Sequence, residues 1–245
     1  MEASDKRKQE IKKVNKIKTF SAPLATGEIE KSSSFSNNEE NKPSKEQILN
    51  QAFKFHSQGN IQEAAKYYQL LINQGFEDQR VFCNFGVILK NLGKLQEAEF
   101  YNRKAIKLNP DFVEAHSNLG SILKDLGNLK EAERSYRKAI ELNPNFAMAY
   151  LNLGNIFKDL GNLKESERSY RKAIELNPDF VEAHSNLGSI LKDLGNLKEA
   201  ERSYRKAIEL NPNFVKAKMN LDFITKKQVP LWHIPMMNDD QRNNA

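Results

Sequence analysis

The 245-residue chain has few of the features that mark membrane or secreted proteins. Its mean hydropathy is −0.70, and no apolar run approaches the roughly 18 residues that a transmembrane helix needs. The N-terminus is basic but lacks the apolar segment of a secretory signal, so we predict no signal peptide. The single cysteine, Cys83, excludes an internal disulfide framework. A reducing compartment fits this composition, and we therefore predict a cytoplasmic protein.

Residues that could perform catalysis or bind a metal are also scarce. His116 and His184 hold equivalent packing positions, and His56 has no acidic or cysteine partner at metal-ligand spacing. No histidine lies at helical spacing from Cys83 to activate its thiol. The glycine-rich motifs of dinucleotide and phosphate loops do not occur. The sequence predicts no enzymatic activity, no cofactor and no metal site.

The positive charge of the chain is concentrated near its ends. A net charge of +6 and a pI of about 9.2 first suggest a nucleic-acid or membrane partner. However, residues 113–146 and residues 147–180 each carry five basic and five acidic residues. The excess lies mainly in residues 1–18 and 215–227. Because a phosphate-binding groove should repeat an unbalanced basic stripe, we predict no nucleic-acid partner.

A 34-residue repeat occupies most of the chain. Val113–Phe146 and Val181–Phe214 are identical, and Ala147–Phe180 differs from them at eight positions. Each unit has two apolar runs at helical spacing, separated by Gly-Asn and closed by Asn-Pro, which predicts a helix–turn–helix. Small residues recur where the two helices must approach, which indicates packing: Gly86, Gly120, Gly154 and Gly188 in the first helix, and Ala64, Ala98, Ala132, Ser166 and Ala200 in the second.

The order His116-x2-Leu119-Gly120-x2-Leu123, followed by Ala132, Tyr136, Ala139 and Pro144, resembles the tetratricopeptide repeat, whose period is also 34. The resemblance implies an all-α, right-handed superhelical solenoid whose concave face is lined by the first helix of each unit. Local departures from the pattern are the histidines at 116 and 184, Asn102 at the aromatic position, and Phe76 at the closing proline. The predicted array covers 45–228, with units 45–78, 79–112, 113–146, 147–180 and 181–214 and a cap helix over 215–228.

Residues 1–44 are first basic and then rich in Ser, Asn and Glu, which predicts a disordered tail. Ile11, Val14 and Ile17 lie three apart among lysines, so a short amphipathic helix on an anionic membrane is the alternative. Two helical turns bury too little to hold such a helix, and we predict no membrane partner.

Residues 229–245 hold the only Trp and two of the five Met residues. In one interpretation this segment folds onto the cap helix. In the other, Trp232-His233-x-Pro235-Met236-Met237 resembles the segment that leads into arginine-methyltransferase-like domains following a repeat arm. The second resemblance implies the substrate-recruiting arm of a methyltransferase-like enzyme whose catalytic domain is absent.

One asparagine recurs at the same place in every unit. It lies one helical step, about 100°, from a residue that packs inside the helix pair, on the side that should face the groove. A carboxamide offers a donor and an acceptor, which match one peptide unit of a bound chain. The alternative is a hydrogen bond to a neighbouring helix. The row consists of Asn50, Asn84, Asn118, Asn152, Asn186 and Asn220. It resembles the asparagine ladder in the repeat arm of protein O-linked glycosyltransferases.

A row of basic residues follows six positions later, and it would favour acidic ligands unless the adjacent aspartates neutralise it. The carboxylate clamp of chaperone-binding relatives needs a Lys just before the row asparagine and an Asn three residues after it. Only Asn155 meets the second requirement, so we predict that the clamp is not assembled. The basic row consists of His56, Lys90, Lys124, Lys158, Lys192 and Lys226.

These patterns together predict a protein–protein interaction scaffold that binds an extended polypeptide in its concave groove. The asparagine row would contact the ligand backbone. Four lysines of the basic row would favour ligands with acidic side chains: Lys90, Lys124, Lys158 and Lys192. The near-identical units also allow self-association through the ends of the array.

Overall fold

The computed structural model describes residues 43–227, in which eleven α-helices and no strands are present. The helices pair into five units and end in a single helix, which confirms the predicted all-α repeat architecture. Their bounds are α1 Lys45–Ser57, α2 Ile61–Asn73, α3 Gln79–Asn91, α4 Leu95–Leu108, α5 Val113–Asp125, α6 Leu129–Leu142, α7 Ala147–Asp159, α8 Leu163–Leu176, α9 Val181–Asp193, α10 Leu197–Leu210 and α11 Val215–Lys227.

The helix boundaries follow from local backbone chemistry. Helix α1 begins at a capping box, in which Ser44 and Gln47 each accept the other's backbone N–H. Within the third unit, Gly127 adopts a φ of 80°, and its N–H donates to the Lys124 carbonyl at 2.9 Å. A left-handed residue of this kind ends a helix at little cost only where it is glycine. This turn reverses the direction of the chain, so that α6 begins at Leu129 and packs back against α5.

A close match of glycine and tyrosine joins the two helices of the later units. A Cβ atom added to Gly120, Gly154 or Gly188 would lie 2.9, 2.6 or 2.7 Å from the nearest atom of the tyrosine ring that faces it. The ring atoms belong to Tyr136, Tyr170 and Tyr204 respectively. Ala132 and Ser166, at the corresponding small position of the second helix, are fully buried. The packing interpretation of the small residues is thus confirmed.

Each second helix also packs against the first helix of the next unit, so the core continues along the array. Ile122 of α5, for example, belongs to the same buried cluster as Tyr68 of α2 and Ile88 of α3. Burial is thereby shared between neighbouring units, as in other solenoids.

Two sets of predictions lie outside the described residues. They are the N-terminal tail with its candidate amphipathic helix, and the C-terminal segment 229–245 with its methyltransferase-like resemblance. Within residues 43–227, no helix is both long and apolar enough to span a membrane.

Candidate functional site

The asparagine row occupies the sixth position of every first helix, from Asn50 in α1 to Asn220 in α11. Asn50 is exposed, because no unit precedes it in the described structure, and the other five are partly buried. All six therefore share one face of the first helices, which we call the asparagine face.

Three members of the row donate a hydrogen bond to the preceding unit. Asn84 Nδ2 donates to Tyr68 Oη at 3.3 Å, and Asn118 Nδ2 donates to Cys83 Sγ at 3.2 Å. Asn186 Nδ2 donates to Asn155 Oδ1 at 3.1 Å. The alternative predicted for this row, a bond to a neighbouring helix, is thus found at three positions.

These internal bonds leave hydrogen-bonding capacity for a ligand. The Oδ1 atoms of Asn84 and Asn118 have no hydrogen-bond partner within residues 43–227, and neither does the carboxamide of Asn152. A donor that is used internally holds the side chain in place, while the carbonyl oxygen stays free to accept a peptide N–H. Asn84, Asn118 and Asn152 are therefore suited to contacting a backbone through their carbonyl oxygens.

A cavity of about 400 Å³ opens on the asparagine face between the first three units. The Arg80 guanidinium lies 5.3 Å from the centroid of the Phe53 ring and pairs with Asp78 at 2.7 Å. The cavity combines aromatic walls with amide and charged groups, a composition typical of ligand pockets. Its lining residues are Phe53, Arg80, Cys83, Asn84, Phe112, Glu114, Ser117, Asn118 and Phe146.

Two buried groups beside this cavity are held in their neutral forms. Burial raises the pKa of Tyr68 to about 12, against the opposing effect of the hydrogen bond from Asn84. Burial likewise raises the pKa of Cys83 to about 11, so its thiol is protonated near neutral pH. His56, whose Nδ1 lies 3.1 Å from Tyr68 Oη, has its pKa lowered by burial. Cys83 thus has the environment of a packing residue, not that of a nucleophile.

Four lysines of the basic row, Lys90, Lys124, Lys158 and Lys192, have described side chains, and three of them pair with neighbouring aspartates. Lys90 pairs with Asp125 at 3.3 Å, and Lys124 pairs with Asp159 at 3.7 Å, each across the boundary to the next unit. Lys192 lies 3.7 Å from Asp193, and its ammonium is 5.6 Å from the centroid of the Phe223 ring. Lys158 alone among the four has no ion pair to any residue in 43–227. Lys226 has no described side chain.

The C-terminal half of the asparagine face contains a network that was not predicted. Asn155 Oδ1 accepts from Tyr170 Oη at 2.7 Å and from Asn186 Nδ2 at 3.1 Å. Lys216 Nζ donates to Asn186 Oδ1 at 2.9 Å. Burial, and then the positive charge of Lys158, lower the pKa of Lys216. Because the charge of Lys158 acts on Lys216 and Lys216 also donates to Asn186, a carboxylate ligand would find a positive charge and an amide donor at this end of the face.

The sequence patterns predicted neither Asn155 nor Lys216 as a site residue, because the carboxylate-clamp pattern lies within one unit, where Leu151 stands at the position that requires a lysine. The signal that identifies them runs across units, since Asn186 lies 31 residues after Asn155 and 30 before Lys216.

Within residues 43–227, no group of three or more His, Cys, Asp or Glu side chains is arranged to hold a metal ion.

The repeat units of the chain match known family models. Models of the tetratricopeptide repeat match residues 79–112, 101–134, 120–161, 154–195 and 181–214, which together cover more than half of the chain. The chain belongs to the tetratricopeptide repeat family. The fold is consistent with a protein-interaction scaffold.

Solved structures share the fold at low sequence identity. MamA (residues 41 to the end) from Desulfovibrio magneticus RS-1 is 24% identical, with a TM-score of 0.62 over 69% of this chain and 96% of that one. YrrB, described as a TPR protein with an unusual peptide-binding site, is 23% identical with a TM-score of 0.60 over 77% and 95%. A thermophilic TPR protein from Thermus thermophilus is 19% identical with a TM-score of 0.60 over 75% and 100%. No curated protein sequence matches the chain significantly.

Proposed function

We propose that this tetratricopeptide repeat protein is a scaffold that binds an extended polypeptide along its asparagine face. The observation that carries the proposal is the 400 Å³ cavity, where Asn84 and Asn118 present free carbonyl oxygens beside the rings of Phe53, Phe112 and Phe146. Amide acceptors and an apolar recess together match the two chemical parts of a peptide, its backbone and its side chains.

The spacing of the helices sets the register of the bound chain. Neighbouring helices lie roughly 8–10 Å apart, and an extended peptide rises about 3.3 Å per residue. Each row asparagine would therefore meet about every third residue of the ligand. Because a neutral hydrogen bond contributes only about 0.5–1.5 kcal/mol, side chains entering the aromatic cavity must supply much of the affinity.

The C-terminal half of the face favours an acidic group in the same ligand. Among residues 43–227, Asn152 has no hydrogen-bond partner, Lys158 has no ion pair, and the only partner of the Lys216 ammonium is the Asn186 amide oxygen. A carboxylate placed among these groups would gain charge-assisted hydrogen bonds without displacing an existing ion pair. The preferred ligand is thus an extended peptide with an apolar residue toward the N-terminal units and an acidic group toward the C-terminal ones.

A peptide-library pull-down tests this proposal. We expect the double variant Asn84→Ala/Asn118→Ala to retain the peptides selected by the wild type at least about tenfold less well, because two hydrogen bonds are lost. Asn152→Ala should weaken retention to a smaller extent. Within residues 43–227 the Asn152 side chain makes no hydrogen bond, so its removal costs no internal contact, and the higher helix propensity of alanine should leave the unfolding midpoint equal or slightly raised.

The matched control is Asn91→Ala/Asn128→Ala, which removes two exposed carboxamides for which no hydrogen bond is observed. If this control loses the same peptides as the groove variant, or if the groove variant retains them like the wild type, the proposal is wrong.

A further inference from the structure

The cavity between the first three units is lined by a carboxylate without a partner. Glu114 reaches it from the first turn of α5 and makes no ion pair or hydrogen bond to any residue in 43–227. The residue is exposed, so its carboxylate is accessible from solvent. Burial raises the pKa of Cys83, and the negative charge of Glu114 raises it further, which shows that this charge acts on the wall of the cavity.

The cation in the cavity lining does not neutralise this charge. Arg80 Nη2 donates to Asp78 Oδ2 at 2.7 Å, and its Nε donates to Asp78 Oδ1 at 3.1 Å. The hydrogen bond to Asp78 raises the pKa of Arg80, and the negative charges of Asp78 and Glu46 raise it further. Two carboxylates thus already act on this guanidinium, and the charge of Glu114 remains available to a ligand.

The other polar groups of the cavity offer hydrogen-bond acceptors. The carbonyl oxygens of Asn84 and Asn118 have no partner within residues 43–227, while each Nδ2 is used internally. Ser117 is only 7% exposed, and its hydroxyl makes no hydrogen bond to a described residue. A Lys ammonium or an Arg guanidinium carries several donors and no acceptor, so either would satisfy these groups together with the carboxylate.

Two phenylalanine rings complete a surface for the stem of such a side chain. Phe112 and Phe146 directly precede α5 and α7, and both line the cavity. Within residues 43–227 no cation lies over either ring, whereas Phe53 already has the Arg80 guanidinium 5.3 Å from its centroid. A phenylalanine ring packs against methylene groups and attracts a cation to its face. The recess therefore suits a side chain with an apolar stem and a cationic head.

We propose that this cavity binds a basic side chain, lysine or arginine, of the extended polypeptide, with its stem against Phe112 and Phe146 and its cation at Glu114. This selectivity rests on the proposed function, and it narrows the apolar residue expected at the N-terminal units to one whose stem is apolar. The acidic group favoured near Lys216 lies in the other half of the face. The preferred ligand is thus basic toward the N-terminal units and acidic toward the C-terminal ones, and this order of charges sets its position along the array.

The fifth unit supplies a matched comparison. It has the same sequence as the third, so Glu182 occupies the position of Glu114 and is also exposed. Its surroundings differ, because Asn186 Oδ1 accepts from Lys216 Nζ at 2.9 Å. A basic ligand side chain at Glu182 would be repelled by this ammonium and would find the amide oxygen occupied. We therefore expect selectivity for basic residues to depend on Glu114 and not on Glu182.

Selection from a library of random, N-terminally acetylated peptides tests this selectivity, since acetylation leaves side chains as the only source of positive charge. We expect the wild type to enrich peptides with lysine or arginine at one position, and Glu114→Gln to bind the enriched peptides about fivefold more weakly. Glu182→Gln should bind them like the wild type. Both substitutions remove one carboxylate from the first turn of a helix, so their effects on stability should match.

A norleucine substitution in the enriched peptide separates a direct contact from a structural effect. Replacing its basic residue by norleucine keeps the apolar stem and should weaken binding to the wild type about fivefold. Binding to Glu114→Gln should not fall further, because the charge that the basic residue contacts is already absent.

The proposal is wrong if the wild type enriches no basic residue, if the two glutamate variants lose basic peptides equally, or if norleucine weakens binding to Glu114→Gln as much as to the wild type. Peptides that are retained through Asn84 and Asn118 without a preference for basic residues would leave the proposed function standing and remove only this selectivity. If the wild type retains no peptide at all, both proposals are wrong.

Discussion

The second unit and the last three units build the same helix pair from different aromatic residues. In the third, fourth and fifth units a glycine of the first helix contacts a buried tyrosine of the second, as Gly154 contacts Tyr170. In the second unit Asn102 stands where the tyrosine would be, facing Gly86. The aromatic ring has moved one residue back, to Tyr101.

The second unit compensates with a cluster of rings. The centroids of Phe82, Phe85 and Phe100 lie 6.0, 5.0 and 5.2 Å from that of Tyr101. Asn102 is fully buried, and although its Nδ2 donates to the Ala98 carbonyl at 2.9 Å, its Oδ1 has no partner. In every unit compared, a glycine of the first helix lies opposite a buried side chain of the second helix that fills the space between the two. In the second unit that side chain is Asn102, whose carbonyl oxygen is left without a hydrogen bond.

The largest expected difference between the second unit and the later units is in the loss of stability when the glycine of the first helix is replaced. We expect Gly154→Ala to lower the free energy of unfolding by about 2 kcal/mol, because the new Cβ must displace the ring of Tyr170, only 2.6 Å away. The added helix propensity of alanine, about 1 kcal/mol, offsets only part of this cost. Urea unfolding followed by circular dichroism measures the change.

Gly86→Ala is the matched variant in the second unit. Its Cβ would lie 2.1 Å from Nδ2 of the buried Asn102 side chain, so this amide must turn away and give up its hydrogen bond to the Ala98 carbonyl. No aromatic ring has to move, and alanine adds helix propensity, so we expect a loss of about 1 kcal/mol, smaller than at Gly154. Equal losses at the two glycines would show that the second unit is packed as rigidly as the others.

Replacing Asn102 by an apolar residue of similar shape should remove the unsatisfied carbonyl and make the protein more stable. We expect Asn102→Leu to raise the free energy of unfolding by about 1 kcal/mol, because leucine has nearly the same shape and no polar atom to leave unpaired. The same unfolding measurement applies, with Asn91→Leu at the exposed end of α3 as the control, expected within about 0.5 kcal/mol. A loss of stability specific to Asn102→Leu would contradict this account.

The smallest expected effect concerns ion pairs between second helices. Arg103 of the second unit bonds both Glu99 and, across the unit boundary, Glu131 at 2.9 Å. Arg137 of the third unit pairs only with Glu133 within the described residues. Glu131→Gln should lower the free energy of unfolding by only about 0.5 kcal/mol, and less at high salt, because both partners are half-exposed.

Glu165→Gln removes the glutamate that corresponds to Glu131 one unit later, where no pair with Arg137 forms and the only ion pair of Glu165 in residues 43–227 is the exposed one to Arg168 at 3.9 Å. Differential scanning calorimetry of the two variants at low and high salt should detect a salt-dependent difference. Identical behaviour of the two would mean that the pair to Arg103 contributes nothing to stability.

Much of the fold and part of the candidate site could be predicted from residue patterns. The positions of Gly120 and Ala132 predicted where two helices approach, and the 34-residue interval of the asparagines predicted a row on one helix face. The partner of each asparagine could not be predicted. Asn84 meets a tyrosine, Asn118 a thiol and Asn186 another amide, because each depends on which side chain the preceding unit places opposite it.

The residue pattern alone predicts the helix–turn–helix period, the helix ends and the small residues at the close contacts, since these depend on interactions within one unit. The packing of successive units, in contrast, sets which asparagine oxygens have no partner within residues 43–227, the network of Asn155, Asn186 and Lys216, and the exposure of apolar side chains on α11. These features depend on the rotation and separation of successive units. Such geometry arises from the packing of whole helices and is not encoded by any single spacing in the chain.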